Sequence, residues 1–117
     1  MSDLKEDVER IVSTIENGLS YEDAGQEEEA QERGLEVTDP IDGMDYLADA
    51  LDIQYIVDSN KEYLGARVLV AFGGPNIWID TLNNRVEGAW WSDKATVYYN
   101  HDLMGIDDAL RELWECK

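Results

Sequence analysis

Cysteine and histidine are almost absent from this chain, which has one of each, Cys116 and His101. A single cysteine excludes a disulfide within the chain and a cysteine-based zinc site. No apolar run approaches the ~20 residues that a membrane-spanning helix needs. Residues 1–6 (MSDLKE) also lack the pattern of a signal peptide. These absences predict a cytoplasmic protein that makes no contact with a membrane.

Basic residues are scarce as well. Nine lysines and arginines stand against 27 aspartates and glutamates, which gives a net charge of −18. Such a chain repels nucleic acid, so we expect no direct binding to it. At 117 residues we expect a single domain over 1–117. Residues 1–52 carry 17 acidic and 3 basic side chains and residues 53–117 carry 10 and 6, which predicts an acidic helical half followed by a more ordinary half.

Residues that could carry catalysis are few. His101 is followed by Asp102, which could orient an imidazole, but the sequence places no nucleophile or acid with this pair. The glycine-containing run at residues 73–76 lacks the spacing and the Lys-Ser/Thr of a phosphate-binding loop. The carboxylates between residues 39 and 62 do not follow the pattern of a calcium-binding EF-hand loop. We therefore predict a non-enzymatic protein with no catalytic residue, no metal site and no cofactor.

Two kinds of helix are expected in the first half. Apolar residues in the stretch 4–19 recur with a helical period and predict a helix over residues 4–17 that ends at Gly18. The pattern of residues 20–33 predicts a second, mostly polar helix that ends at Gly34. Such a helix is only marginally stable unless something docks on it. Asp42 is expected to cap a short third helix.

From Ile53 the apolar period changes to two. The pattern predicts strands over residues 53–58, 64–72, 77–80, 85–91 and 94–99, followed by a helix over 106–115. Short connections favour antiparallel neighbours. The expected fold class is therefore α+β, with an antiparallel meander sheet of four to five strands and the N- and C-terminal helices packed on one face.

Residues 22–52 contain twelve carboxylates and a single base, Arg33, for a net charge of −11. A helix rises ~1.5 Å per residue and a DNA duplex carries one charge per ~1.7 Å, so the two charge densities can be similar. Such a segment attracts proteins that grip phosphates, although it can also serve only as a solvated surface. The candidate partner-binding carboxylates are Glu22, Asp23, Glu27, Glu28, Glu29, Glu32, Glu36, Asp39 and Asp42.

The four tryptophans include a second candidate for partner binding. Alternation along the strands at 77–80 and 85–91 places Trp90 on the buried face and Trp78 and Trp91 on the opposite face, beside Asp80. Exposed tryptophans near acidic groups suit an interface with another protein. The alternative is that residues 20–42 cover this face as a second layer.

A resemblance extends over residues 44–116. The sequence DYL at 45–47, GGPNIWIDT at 73–81 and AWW at 89–91 resembles small acidic uncharacterised proteins of bacterial phages and integrative elements. In size and charge the chain is also similar to anti-CRISPR and anti-restriction proteins, many of which imitate DNA. The first resemblance implies a mobile-element setting and no activity. With the charge of the chain, it leads to the hypothesis of a mobile-element inhibitor that blocks the nucleic-acid-binding surface of a bacterial defence nuclease, such as an RNA-guided one. The alternatives are an acidic immunity or antitoxin protein that neutralises a basic nuclease toxin, and an acidic protein of a salt-adapted organism.

Overall fold

Helices surround one face of a single sheet in the computed structural model, which describes residues 3–116. In chain order these residues form α1 (Asp3–Asn17), α2 (Glu27–Glu32), α3 (Gly43–Leu47), β1 (Asp52–Val57), β2 (Tyr63–Ala71), β3 (Asn76–Asp80), β4 (Arg85–Trp90), β5 (Asp93–Tyr98) and α4 (Ile106–Glu115). The strand order is β1-β2-β3-β4-β5 and every neighbouring pair is antiparallel. The α+β class and the meander are therefore confirmed. Across residues 3–116, no helix combines the length and the apolar character that a bilayer crossing requires.

The core lies between α1, α4 and the inner face of the sheet. Val68, Ile79 and Val86 line the centre of β2, β3 and β4 and are fully buried. The buried stripe of α1 packs on β4 and β5. This approach depends on Gly88, because a Cβ there would lie 2.8 Å from side-chain atoms of Leu4 and Val8. The glycine in β4 therefore sets how closely α1 can pack.

The last helix docks on β2 through polar and aromatic contacts. The Tyr63 hydroxyl donates a hydrogen bond of 2.6 Å to Asp107 of α4. The Arg111 guanidinium lies 5.0 Å from the centre of the Tyr63 ring. Burial, together with the neighbouring Asp107 carboxylate, raises the pKa of Tyr63. The ring of Trp114 lies 5.3 Å from that of Tyr55 in β1, so α4 also contacts the first strand.

Residues 20–33 do not form the single helix that was predicted. The chain makes one turn in which the Ser20 hydroxyl accepts the amide of Asp23 at 3.1 Å, and Gly25, with φ of 71°, then ends this turn. Helix α2 starts only at Glu27. The interruption lets Tyr21, with 2 % of its surface exposed, and Ala30 both reach the core. Gly34, with φ of 71°, follows α2 as predicted.

Two side chains of the hairpin differ from the prediction. Asp80 was expected on the surface beside Trp78 but is only 3 % exposed. Its carboxylate accepts the amides of Leu82 and Asn83 at 3.0 and 3.1 Å and therefore holds the turn between β3 and β4. Trp90 was expected in the core but is 39 % exposed, because it lies at the last pair of the β4–β5 hairpin.

A tight contact at Gly65 provides a test of the fold. A Cβ on Gly65 would lie 2.8–2.9 Å from the Cβ, Cα and amide nitrogen of Leu82, so Gly65→Ala must push the β3–β4 turn away from β2. We expect a loss of roughly 1–3 kcal/mol in the free energy of unfolding, measured by urea denaturation. The matched control is Gly74→Ala, where nothing lies within 4 Å, and which should change stability little. Equal stability of the two variants would contradict this packing.

Candidate partner-binding surfaces

Within residues 22–52, called the acidic segment, one cluster of polar side chains links α2 to α3 and to the buried Tyr21. The hydroxyl of the buried Tyr21 donates to Asp45 at 2.9 Å. The Arg33 guanidinium donates to the same Asp45 oxygen at 2.7 Å and pairs with Glu29 of α2 at 2.9 Å. The single base of the segment therefore joins α2 to α3.

This cluster determines the charge state of Asp45. Partial burial acts to raise the pKa of the carboxyl, but the hydrogen bonds from Arg33 and Tyr21 outweigh that effect and lower the pKa below its ordinary value. Burial, followed by the hydrogen bond to Asp45, raises the pKa of Tyr21. Asp45 is therefore an ionised acceptor at neutral pH, with a neutral phenol as one of its donors.

Most of the candidate carboxylates lie on the surface. Three of the nine also have local structural roles. Glu29 pairs with Arg33, Asp42 accepts the amide of Asp45 at 2.9 Å as the N-cap of α3, as predicted, and Asp39 accepts the amide of Glu36 at 3.0 Å. Only Glu29 and Asp39 are half-buried. The exposed members are Glu22, Asp23, Glu27, Glu28, Glu32, Glu36 and Asp42.

A shallow cleft runs between α2 and α3. Its walls include Glu28, Glu29 and Glu32 on one side and Asp45 and Asp49 on the other. Neither Asp45 nor Asp49 is among the site residues predicted from the sequence, because no local pattern distinguishes them from the other acids. Within residues 3–116, no group of three or more His, Cys, Asp or Glu side chains is arranged to hold a metal ion.

Trp78 lies on the outer face of the sheet, away from the helices. The Arg67 guanidinium stacks over its ring at 4.4 Å, which is the geometry of a cation–π contact. The groove that Trp78 lines also includes Lys94 and Thr96 but no residue of 20–42. The prediction that residues 20–42 could cover this face is therefore wrong, because their apolar side chains, such as Tyr21, belong to the core on the helix side.

Trp91 does not share a surface with Trp78. Trp90 pairs with Asp93, so Trp91 occupies the two-residue turn between β4 and β5, where strand alternation no longer applies. Trp91 has a φ of 59° and is 90 % exposed. A positive φ is uncommon for a bulky residue and marks local strain. The tryptophan pair expected from the sequence is thus two separate features.

Phe72 is an exposed aromatic residue that the sequence analysis missed. It follows β2 directly, and 72 % of its surface is exposed. Two residues earlier, Val70 lines a groove together with Ala24 and Asp49 of the acidic segment. Phe72 therefore follows the end of β2 that reaches the acidic segment, just after the register shift between Leu69 and Ala71 that interrupts the alternation of this strand.

His101 and Cys116 are both exposed. The Asp102 carboxylate accepts the amides of Ile106 and Asp107 at 2.9 Å each, so it holds the start of α4 rather than an imidazole. The structure assigns this capping role to a residue that the sequence analysis had considered only as a partner of His101.

Comparisons with known proteins add no relative. No protein-family model matches the chain, and neither a curated protein nor a solved structure shows significant similarity to it. The resemblance to proteins of phages and integrative elements therefore stays a prediction.

Removal of the Arg33 charge tests the link between α2 and α3. A carboxyl whose pKa is lowered in the folded state adds stability above its unfolded pKa, and this stability is lost as pH falls through the folded value. We therefore expect Arg33→Met to lower the urea midpoint at neutral pH, with a difference from the unmodified chain that disappears in strong acid. Arg10→Met is the control, since within residues 3–116 the ion pair of Arg10 is with Asp7 of α1, outside the acidic segment. A difference that persists unchanged in acid would contradict the Asp45 pairing.

Proposed function

We propose that this protein is a non-enzymatic inhibitor encoded by a mobile element, which acts in the cytoplasm of a bacterial host. It occupies the nucleic-acid-binding surface of a defence nuclease, and an RNA-guided nuclease is the class we favour. The acidic segment takes the place of phosphates against the lysines and arginines of that surface. The observation that supports this proposal is the large set of exposed, unneutralised carboxylates on the acidic segment.

The carboxylates are free to meet a partner. Among the described residues, Arg33 is the one base with ion pairs to the acidic segment, and both of its partners, Glu29 and Asp45, lie within that segment. Within residues 3–116, the remaining ten acids of the segment have no ion pair. Their full charge is therefore available to a basic surface, and mutual repulsion among them is relieved when such a surface binds.

The arrangement of α2 supports phosphate imitation. Glu27, Glu28 and Glu29 follow one another at the start of the helix and Glu32 is one turn further on. Carboxylates at the first turn also interact favourably with the helix dipole, so the fold tolerates their density. A partner that reads the spacing of phosphates would meet negative charges separated by a few ångströms along this helix.

Apolar contact is assigned to Phe72 rather than to the tryptophans. Trp78 projects from the sheet face opposite to the helices, and Trp91 lies in the β4–β5 turn, so neither adjoins the acidic segment. Phe72 is exposed and follows Val70 by two residues, and Val70 lines a groove with Ala24 and Asp49 of the acidic segment. Aromatic side chains next to a charged rim commonly contribute much of the binding energy at interfaces.

Charge reversal tests the proposal. We expect Glu27→Lys, Glu28→Lys and Glu32→Lys together to slow association with the target nuclease by about tenfold or more at low salt, because rim charges act mainly on encounter. The matched control is Asp108→Lys, Glu112→Lys and Glu115→Lys on α4, which changes net charge equally at exposed positions. The measurement is cleavage of a labelled target duplex by a panel of purified RNA-guided nucleases, with binding kinetics on any that is inhibited.

The competition mechanism predicts that excess duplex relieves the inhibition and that added salt weakens it. Equal effects of the two triple variants would show that the acidic segment is only a solubilising surface. Inhibition of a basic toxin nuclease, with no effect on any RNA-guided nuclease, would support the antitoxin alternative.

Substitution of Phe72 tests the apolar contact separately from the contacts of the carboxylates. We expect Phe72→Ala to speed dissociation of the inhibited complex while leaving association nearly unchanged, because the side chain is uncharged and adjoins the acidic segment. Trp78→Ala on the opposite sheet face is the matched control and should change neither rate. Binding kinetics with one partner immobilised on a surface measure both rates. Faster dissociation of the Trp78 variant alone would place the contact on the outer sheet face and contradict this assignment.

A further inference from the structure

The last strand of the sheet has an unpaired edge. Strand β5 pairs with β4 on one side and has no strand on the other side within residues 3–116. The amide of Tyr99 donates to the Asn84 carbonyl at 2.9 Å, so Tyr99, and with it Val97 and Ala95, direct their main-chain groups toward β4. The main-chain N–H and C=O groups of Lys94, Thr96 and Tyr98 therefore point outward.

The unpaired part of the β5 edge is bounded at both ends. The next outward-facing amide, that of Asn100, donates to the Glu16 carboxylate of α1 at 2.6 Å and is thus satisfied. At the other end the strand begins at Asp93, directly after the β4–β5 turn. Between these limits Leu4 and Lys5 of α1 form the far wall of a groove that runs along β5.

The two edges of the sheet differ. Strand β1, at the other edge, has a shift in register between Ile56 and Val57 and begins inside the acidic segment. Strand β5 pairs with β4 without any shift and contains no proline. Irregularities and charge protect exposed edges from pairing with other chains. Of the two, β5 is the edge that remains suited to accept another strand.

We propose that β5 pairs with β5 of a second copy of this chain, antiparallel and with the two-fold axis at Thr96. In this register Thr96 faces its counterpart and Lys94 faces Tyr98, and all outward main-chain groups of both copies form hydrogen bonds. A register centred on Ala95 would instead place Tyr98 opposite Ser92 in the turn and leave its groups unpaired. An axis at Thr96 is therefore the self-complementary solution.

Side chains agree with this register. On the outer face the ammonium of Lys94 lies across from the phenol of Tyr98, and on the helix side Ala95 lies across from Val97. No like charges face each other, which would oppose pairing. The β4–β5 hairpin itself contains two acids and two bases, Glu87 and Asp93 with Arg85 and Lys94. The acidic segment leads into β1 at the other edge of the sheet, whereas α1 places Lys5 in the groove beside β5 and Glu16 against the Asn100 amide.

Salt distinguishes this self-association from the proposed partner binding. Two chains of net charge −18 repel each other, and salt screens this repulsion. Pairing through β5 is therefore expected to strengthen as salt rises, whereas binding of the acidic segment to a basic partner weakens. The proposal stands independently of the inhibitor function.

Opposite charges at one position test the register. Tyr98→Lys places an ammonium across from Lys94 twice in the dimer, and we expect the dimer dissociation constant to rise about tenfold. Tyr98→Glu places a carboxylate there instead, and the constant is expected to fall by a similar factor. Sedimentation equilibrium over a range of protein concentrations measures the dimer dissociation constant of the unmodified chain and of both variants. Circular dichroism checks that all three are folded. A monomer at every concentration, or a shift of both variants in the same direction, overturns the proposal.

A cross-link tests the position of the axis. Residues in a hydrogen-bonded antiparallel pair have Cα atoms about 5.5 Å apart, which a disulfide can span. Thr96→Cys in a Cys116→Ser background is expected to form a covalent dimer under mild oxidation. The control is Asn60→Cys in the same background, an exposed turn position away from β5. Equal cross-linking of the two variants, or none at position 96, overturns the two-fold axis at Thr96.

Discussion

One-sided packing of the sheet is the constraint on which the rest of the structure depends. The buried strand residues, among them Ile79 and Val86, face α1 and α4, and the outer face is left to Trp78 and its polar neighbours. Every segment that contributes apolar side chains must therefore reach the same side. This explains why residues 20–42, although strongly acidic, fold back onto the helix side through Tyr21, Ala30 and Ile41. The acidic surface is presented by a segment that buries Ala30, Ile41 and Leu47 in the core and leaves Leu35 and Leu51 exposed.

The regular elements could be predicted because each follows one period for its full length. Leu4, Val8, Val12 and Ile15 recur at helical spacing and are buried in α1. The strands alternate over most of their length, with one register shift in β1 and one in β2, and short turns between them leave a meander as the simplest order. The cap at Asp42 and the stop at Gly34 also follow from local chemistry alone. Sequence and structure agree where neighbouring residues determine the conformation.

The predictions that were wrong share a different origin. The break at Gly25 depends on Tyr21 reaching Asp45, a contact between residues 24 positions apart that no local pattern reveals. Asp80 is buried because turn amides surround its carboxylate, although its charge favoured the surface. Trp91 was assigned to a strand because alternation was extended one residue into a turn. The exposure of the candidate carboxylates followed from composition, but the role of Arg33 in holding them could not.

The placement of α1 has a consequence for how the chain folds. Each strand pairs with its neighbour in sequence, so the meander closes only short loops and can form quickly. Helix α1 instead packs on β4 and β5, which lie about seventy or more residues further along the chain. Closing that loop before the sheet exists would cost conformational entropy without any contacts with the sheet to offset it. We therefore expect α1 to complete the core late. Substitutions in its buried stripe should then act mainly on the rate of unfolding, and α1 is the element whose detachment would open the native core.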